Sequence, residues 1–166
     1  MSPVGVQIRR PSKVEYYDGA EHQVKKGDVV VVEGETGHTL ATVVALPEKN
    51  YRGPKRLKRI LRLANDQDLL QGERNRTREL DALRICKRTV REMKLDMKVV
   101  KAKFSLGGGK SSFYFYSDEK IDYRPIVEKV RNQIGLKVDF IQVGVRDAAG
   151  MTGGIGICGR EYCCST

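Results

Sequence analysis

The chain has 166 residues and a mass of 18.7 kDa, with 40% hydrophobic and 31% charged residues. That size suits one medium domain or two small ones folded together, with no need of disulfide staples. Thirty-one Lys and Arg stand against 21 Asp and Glu, giving a net charge of +10, a balance that favours polyanionic partners such as RNA, DNA or an acidic protein surface.

The charge is spread evenly. Residues 1–64 carry 12 basic and 7 acidic side chains and residues 65–166 carry 19 and 14, so it belongs to no detachable tail. Apolar runs such as Val29–Val32 fall far short of the ~20 residues of a membrane span. Met-Ser-Pro-Val-Gly at the start lacks a basic region followed by an apolar stretch, so neither export nor membrane insertion is expected and the compartment is read as cytoplasmic and reducing.

Residues 1–47 read as all-β. Val4–Ile8 and Lys13–Tyr17 are short alternating runs, with Asp18-Gly19 as a turn. Val29–Val32 is a β-branched run of a buried strand, and Thr36-Gly37 separates it from a further strand over His38–Leu46. Four or five short strands with glycine turns predict a small SH3-like barrel closed by Pro47. Residues 48–64 read as a basic connector, with six Lys or Arg in the eleven residues from Arg52 to Arg62.

Residues 65–147 read as an α+β domain. Asn65 or Asp66 caps a helix running to about Met93, with Leu80, Leu83, Cys86 or Lys87, Val90 and Met93 on its apolar face. Residues 71–79 are almost wholly polar, which predicts that the first turns stand in solvent. Met97–Leu106 and Ser111–Ser117 form a hairpin through Gly107-Gly-Gly109. Asp122 caps a second helix over about Tyr123–Gln133, ended by Gly135, and Leu136–Val145 makes a third strand. The order α-β-β-α-β predicts a three-stranded sheet with both helices on one face.

Residues 148–166 read as a Gly/Cys-rich tail. Cys158, Cys163 and Cys164 are spaced C-x4-C-C among glycines, and soft thiolates held by a tight loop suit zinc or an iron–sulfur cluster. A closed site needs four ligands, so the fourth is Cys86, a thiol of another chain, or a cysteine beyond residue 166. Buried cysteines in a tight turn are the plain alternative. A redox thiol has less support, because no C-x-x-C is present.

Other features invite chemistry more weakly. Lys55, Arg56, Lys58, Arg59 and Arg62 of the connector have the charge to neutralise phosphates, each contact adding salt-dependent affinity; a solvated linker face is the plain reading. Phe113-Tyr-Phe-Tyr116 has the residue types of a base-stacking platform, although strand alternation sends one pair to the core. Gly107-Gly-Gly-Lys110 lacks the G-x4-G-K-[ST] register of a phosphate loop and reads as a turn. His22 and His38 have no identifiable Ser or carboxylate partner for a hydrolytic triad.

Several blocks taken in order carry a family pattern: Lys58-Arg-Ile-Leu-Arg-Leu-Ala64 with Asp68-Leu69, Ala82-Leu-Arg-Ile-Cys-Lys87, Leu95-Asp-Met-Lys-Val-Val100, Phe113–Tyr116, Ile141-Gln-Val-Gly-Val-Arg-Asp147, and Gly153-Gly-Ile-Gly-Ile-Cys-Gly-Arg-Glu-Tyr-Cys-Cys-Ser-Thr166. Lys26-Gly27-Asp28-Val-Val-Val-Val-Glu33 and Thr36-Gly37 match its N-terminal portion. With these, the chain resembles the bacterial YaaT/RicT family, within the polymerase-suppressor C-terminal-domain family.

That resemblance implies a cytoplasmic, non-catalytic regulator in a complex with RicA-like and RicF-like small helical proteins. The complex bears on ribonuclease Y-dependent RNA processing and developmental signalling. It also implies an iron–sulfur cluster with Cys158, Cys163 and Cys164 as ligands, zinc being the alternative metal. Family members continue past the position of Thr166 with a further cysteine-containing segment, and they commonly carry proline where Ile157 stands. A direct RNA- or DNA-binding module with structural cysteines is the alternative function.

Overall fold

The computed structural model describes residues 3–8, 14–19, 22–34, 37–46 and 56–163. It has an α+β architecture: a closed five-stranded barrel and a three-stranded sheet covered by helices. The barrel contains β1 (Pro3–Gln7), β2 (Glu15–Asp18), β3 (Val29–Gly34), β4 (Gly37–Ala45) and β5 (Lys58–Leu63), in the order β1-β2-β5-β3-β4. Val4, Val6, Tyr17, Val30, Val32, Ala41, Val43 and Ile60 fill its interior, as alternation along half-buried strands requires.

The basic connector is shorter than the sequence reading has it. Residues 58–63 are a barrel strand, antiparallel to β3 and parallel to β2, and they close the barrel. Only Ile60 of these six is buried. One inward side chain, with Leu61 and Leu63 exposed among the basic residues, gives no apolar period, which is why charge density hides the strand. Residues 47–55 lie outside the described residues.

Helix α1 spans Asp66–Glu92. Its start is a reciprocal capping box: the Asn65 side chain accepts from the Asp68 amide at 2.8 Å, and the Asp68 carboxylate accepts from the Asn65 amide at 3.0 Å. Gly72 brings the helix close to the barrel, since a Cβ there would lie 2.6 Å from Leu40 Cδ1. The apolar face is Ala82, Cys86 and Val90, with Leu83 and Met93 beside it; Leu80 is exposed.

The first turns of α1 are not wholly solvated as their polarity predicts. Asn75 and Glu79 are buried. Asn75 Nδ2 donates to the Ser105 carbonyl at 3.1 Å, and Glu79 Oε1 accepts from the Phe104 amide at 2.8 Å. Burial of these polar groups is tolerated because each is hydrogen-bonded to the end of a strand.

The sheet follows as β6 (Lys98–Phe104), β7 (Lys110–Tyr116), α2 (Arg124–Ile134) and β8 (Lys137–Gln142), in strand order β6-β7-β8. β6 and β7 are antiparallel, and β7 and β8 are parallel. Ile126 and Val130 of α2 join the α1 face over Val99, Ala102, Phe104, Phe113, Phe115 and Val138, so both helices share one core. Asp122 accepts the Arg124 amide at 3.1 Å, and the residue at the N-cap is Tyr123.

A third helix, α3 (Val145–Thr152), packs against β6 and β7. The alternation predicts a strand to Val145 and a tail from residue 148, whereas the strand ends at Gln142 and residues 145–152 are helical. The helix starts where Ala148 N donates to Gly144 O at 2.9 Å, and buried Ala148 anchors it. Ala148 lies outside the α1–α2 core.

Candidate functional site

From α3 the chain passes into a small glycine-rich hairpin. Ile155 and Glu161 form an antiparallel bridge. Gly156 N donates to Arg160 O at 2.8 Å, Gly159 N to Gly156 O at 2.9 Å, and Tyr162 N to Gly154 O at 3.0 Å. Gly154 has φ +152, and a Cβ there would stand 2.6 Å from the Tyr162 ring. Only glycine takes that backbone without strain and lets the ring lie against it.

Cys158 sits in the turn of this hairpin. Its Sγ lies 3.4 Å from where a Gly156 Cβ would be. Cys163 follows the closing strand, and both cysteines are exposed. Cys164 lies outside the described residues. Ile155 and Ile157 flank Cys158 and are also exposed, Ile157 fully. Set singly between glycines and a cysteine, Ile155 and Ile157 carry no strand or helix period in the sequence that would mark an apolar rim.

Cys86 does not belong with them. It is fully buried on the inner face of α1, and burial pushes its thiol up to about 12. Among the described residues no three His, Cys, Asp or Glu side chains converge on one point. The tail therefore fits a soft metal or cluster only in part. Cys158 and Cys163 are accessible thiol donors, two of the four that a closed site needs, and the core cysteine is unavailable as a third.

The basic residues behave differently from one another. Arg56, Lys58 and Arg59 are exposed, with Lys58 and Arg59 opposite Tyr17 and Asp18 in the parallel β2–β5 register. Arg62 instead grips Asp68 with two guanidinium hydrogen bonds, one of 2.9 Å. The Arg62 contact, then the Asn65 amide, hold the Asp68 carboxyl below its usual range. Arg62 is thus committed to fastening β5 to the start of α1. Lys55 lies outside the described residues.

No stacking platform exists on β7. Phe113 and Phe115 are in the core under α1 and α2, and Tyr114 is 4% exposed with Lys103 over its ring. His22 Nε2 donates to the Leu61 carbonyl at 3.0 Å, as part of the barrel. No helix among the described residues is long and apolar enough to cross a membrane.

Comparison with known proteins matches residues 58–143 to the PSP1 C-terminal conserved region. That span runs from β5 through β8. The chain is 36% identical to the stage 0 sporulation protein YaaT of Bacillus subtilis over 98% of its own length and 60% of that protein's. It is also 29% identical to an uncharacterised protein of Schizosaccharomyces pombe over 63% of the chain, 12% of that protein. It thus spans less than two thirds of the length of either relative. No solved structure matches it. With the family region covering the last barrel strand and the whole sheet, and the match to YaaT spanning 98% of the chain, the chain belongs to the PSP1 family as a YaaT/RicT-type member.

Proposed function

We propose that this protein is a non-catalytic cytoplasmic adaptor. In this reading it works with RicA-like and RicF-like small helical proteins in a complex that modulates ribonuclease Y-dependent RNA processing and developmental signalling. The observation that carries the reading is the 36% identity to a sporulation protein over 98% of the chain. Exposed Ile155 and Ile157 beside exposed Cys158 and Cys163 add support, since apolar residues at a surface turn suit a protein contact.

Cys158, Cys163 and Cys164 are the residues that would hold an iron–sulfur cluster, with zinc as the alternative. Such a group, when bound, supplies a thiolate-linked brace to a segment with little apolar material of its own. The hairpin then presents Ile155 and Ile157 in a fixed geometry, and partner binding depends on that order. The test is anaerobic capture of partners on the tagged full-length protein. The wild type is expected to retain small helical partners and ribonuclease Y, and the Cys158→Ser, Cys163→Ser and Cys164→Ser variants to lose them. Unchanged capture by all three variants would sink the gating idea.

A second reading, direct RNA or DNA binding through the barrel, is favoured by exposed Arg56, Lys58 and Arg59 on and beside β5. It predicts a steep fall of RNA affinity with salt, flattened by Arg56→Glu and Arg59→Glu.

A further inference from the structure

Three glycines close the β6–β7 hairpin, but its geometry requires only one. Gly108 has φ +69 and donates its amide to the Ser105 carbonyl at 2.9 Å. Gly107 and Gly109 have no positive φ, and nothing lies within 4 Å of where a Cβ would stand on either. Neither packing nor backbone strain therefore excludes a side chain there. The amides of both residues make no hydrogen bond among the described residues. Glycine at these two positions leaves bare backbone donors on the surface.

Gly107 and Gly109 line an open hollow of about 330 Å³, together with Gly37, His38, Ser105 and Lys110. The hollow lies where the barrel meets the sheet. Leu106 N donates to His38 O at 2.8 Å there, and Gly37 fits closely against Ser105, whose Cβ would be 3.2 Å from a Cβ at Gly37. Both walls are thus fixed to each other.

Positive charge gathers around it. Lys110 lines the hollow, and Lys137 is its cross-strand neighbour in the parallel β7–β8 register. Arg78 Nη1 lies 4.0 Å from the Cβ position of Gly108. Of the carboxylates nearby, Glu33 opposes His38 across β3–β4, and Glu79 accepts from the Phe104 amide in the interior. Unpaired amides on a concave loop, with flanking cations, form the kind of nest that holds anionic oxygens.

We propose that the Gly107–Lys110 loop, with His38 as the facing wall, binds a phosphate group. A phosphodiester of RNA and a terminal phosphomonoester share this chemistry. The register of a nucleotide-hydrolysing phosphate loop is absent, so the site is one of recognition rather than turnover.

Amide NMR spectra of the full-length protein, titrated with inorganic phosphate and separately with an oligouridylate lacking a terminal phosphate, test this. Saturable shifts centred on Gly107 and Gly109 are expected. Lys110→Ala should weaken them about tenfold, the worth of one charge-assisted hydrogen bond. Gly109→Ala has room for its methyl group, so it keeps the fold while covering the amide, and it should weaken them too. Shifts with the oligouridylate assign the phosphodiester as the source, and shifts with inorganic phosphate alone assign a phosphomonoester. Absent or dispersed shifts with both, or shifts indifferent to both variants, overturn the site.

Discussion

Glu79 Oε1 accepts a hydrogen bond from the Phe104 amide at 2.8 Å, buried between α1 and the end of β6. A helix carboxylate thereby satisfies a strand amide, four residues after Asn75 does the like for the Ser105 carbonyl one turn earlier. Glu79→Ala strands the amide, and the expected loss is about 2 kcal/mol, the penalty of a buried donor without a partner. Glu79→Gln keeps an acceptor oxygen and should recover part of that loss. Urea unfolding of the two variants checks the difference.

The thiols separate by environment. Cys86 is fully buried with its ionisation pushed from 9.0 up to about 12, whereas Cys158 and Cys163 are exposed. A water-soluble maleimide at neutral pH should modify Cys158 and Cys163 in the folded, metal-stripped protein and reach Cys86 only after unfolding, as peptide mass mapping would show. Because the folded value is raised, the stability of the neutral thiol is complete below pH 9.0. It is withdrawn as pH rises from 9.0 toward about 12, by about 1.4 kcal/mol per unit. Cys86→Ala should flatten that alkaline slope.

Asp68 has the opposite sign. Its carboxyl is held low by Arg62 and the Asn65 amide, so its contribution is present above the ordinary value of 3.8 and is lost as pH falls through the depressed folded value. Arg62→Gln should reduce the acid-side dependence of the unfolding midpoint. Asn65→Ala, which removes the cap acceptor, should cost about 1 kcal/mol.

The regular parts of this fold were legible because their signals are local. Asn65 marks the start of α1 by its capping side chain, and Gly107–Gly109 mark the β6–β7 turn. The less legible parts depend on partners distant in sequence. Asn75 and Glu79 look solvated until the backbone of Phe104 and Ser105 arrives beside them. Strand β5 shows one buried residue, Ile60, among exposed basic residues and leucines. Helix α3 follows a strand without a side-chain cap, since Gly144 occupies the N-cap. At the candidate site the cysteine spacing and the place of Cys86 on the apolar face of α1 are readable, but the exposed Ile155 and Ile157 emerge only with the packing.

Gly154 is the residue on which the tail hairpin turns, because its φ of +152 and the Tyr162 ring leave no place for a side chain. Gly154→Val should open the hairpin, seen as faster hydrogen exchange of the Tyr162 amide, whose bond to Gly154 O is 3.0 Å. The two cores lie elsewhere, so the melting midpoint should move by less than about 2 °C.

The central claim is that the exposed tail thiols hold a cluster that braces the adaptor surface. Iron, sulfide and zinc content, with a visible absorption spectrum, on the anaerobically purified full-length protein tests it most directly. The account predicts iron with matching sulfide, both lost when Cys163 and Cys164 are changed to serine. Folded protein free of iron and sulfide would contradict it, with zinc alone recasting the tail as a structural site and no metal at all shifting the weight to nucleic-acid binding with merely packed cysteines.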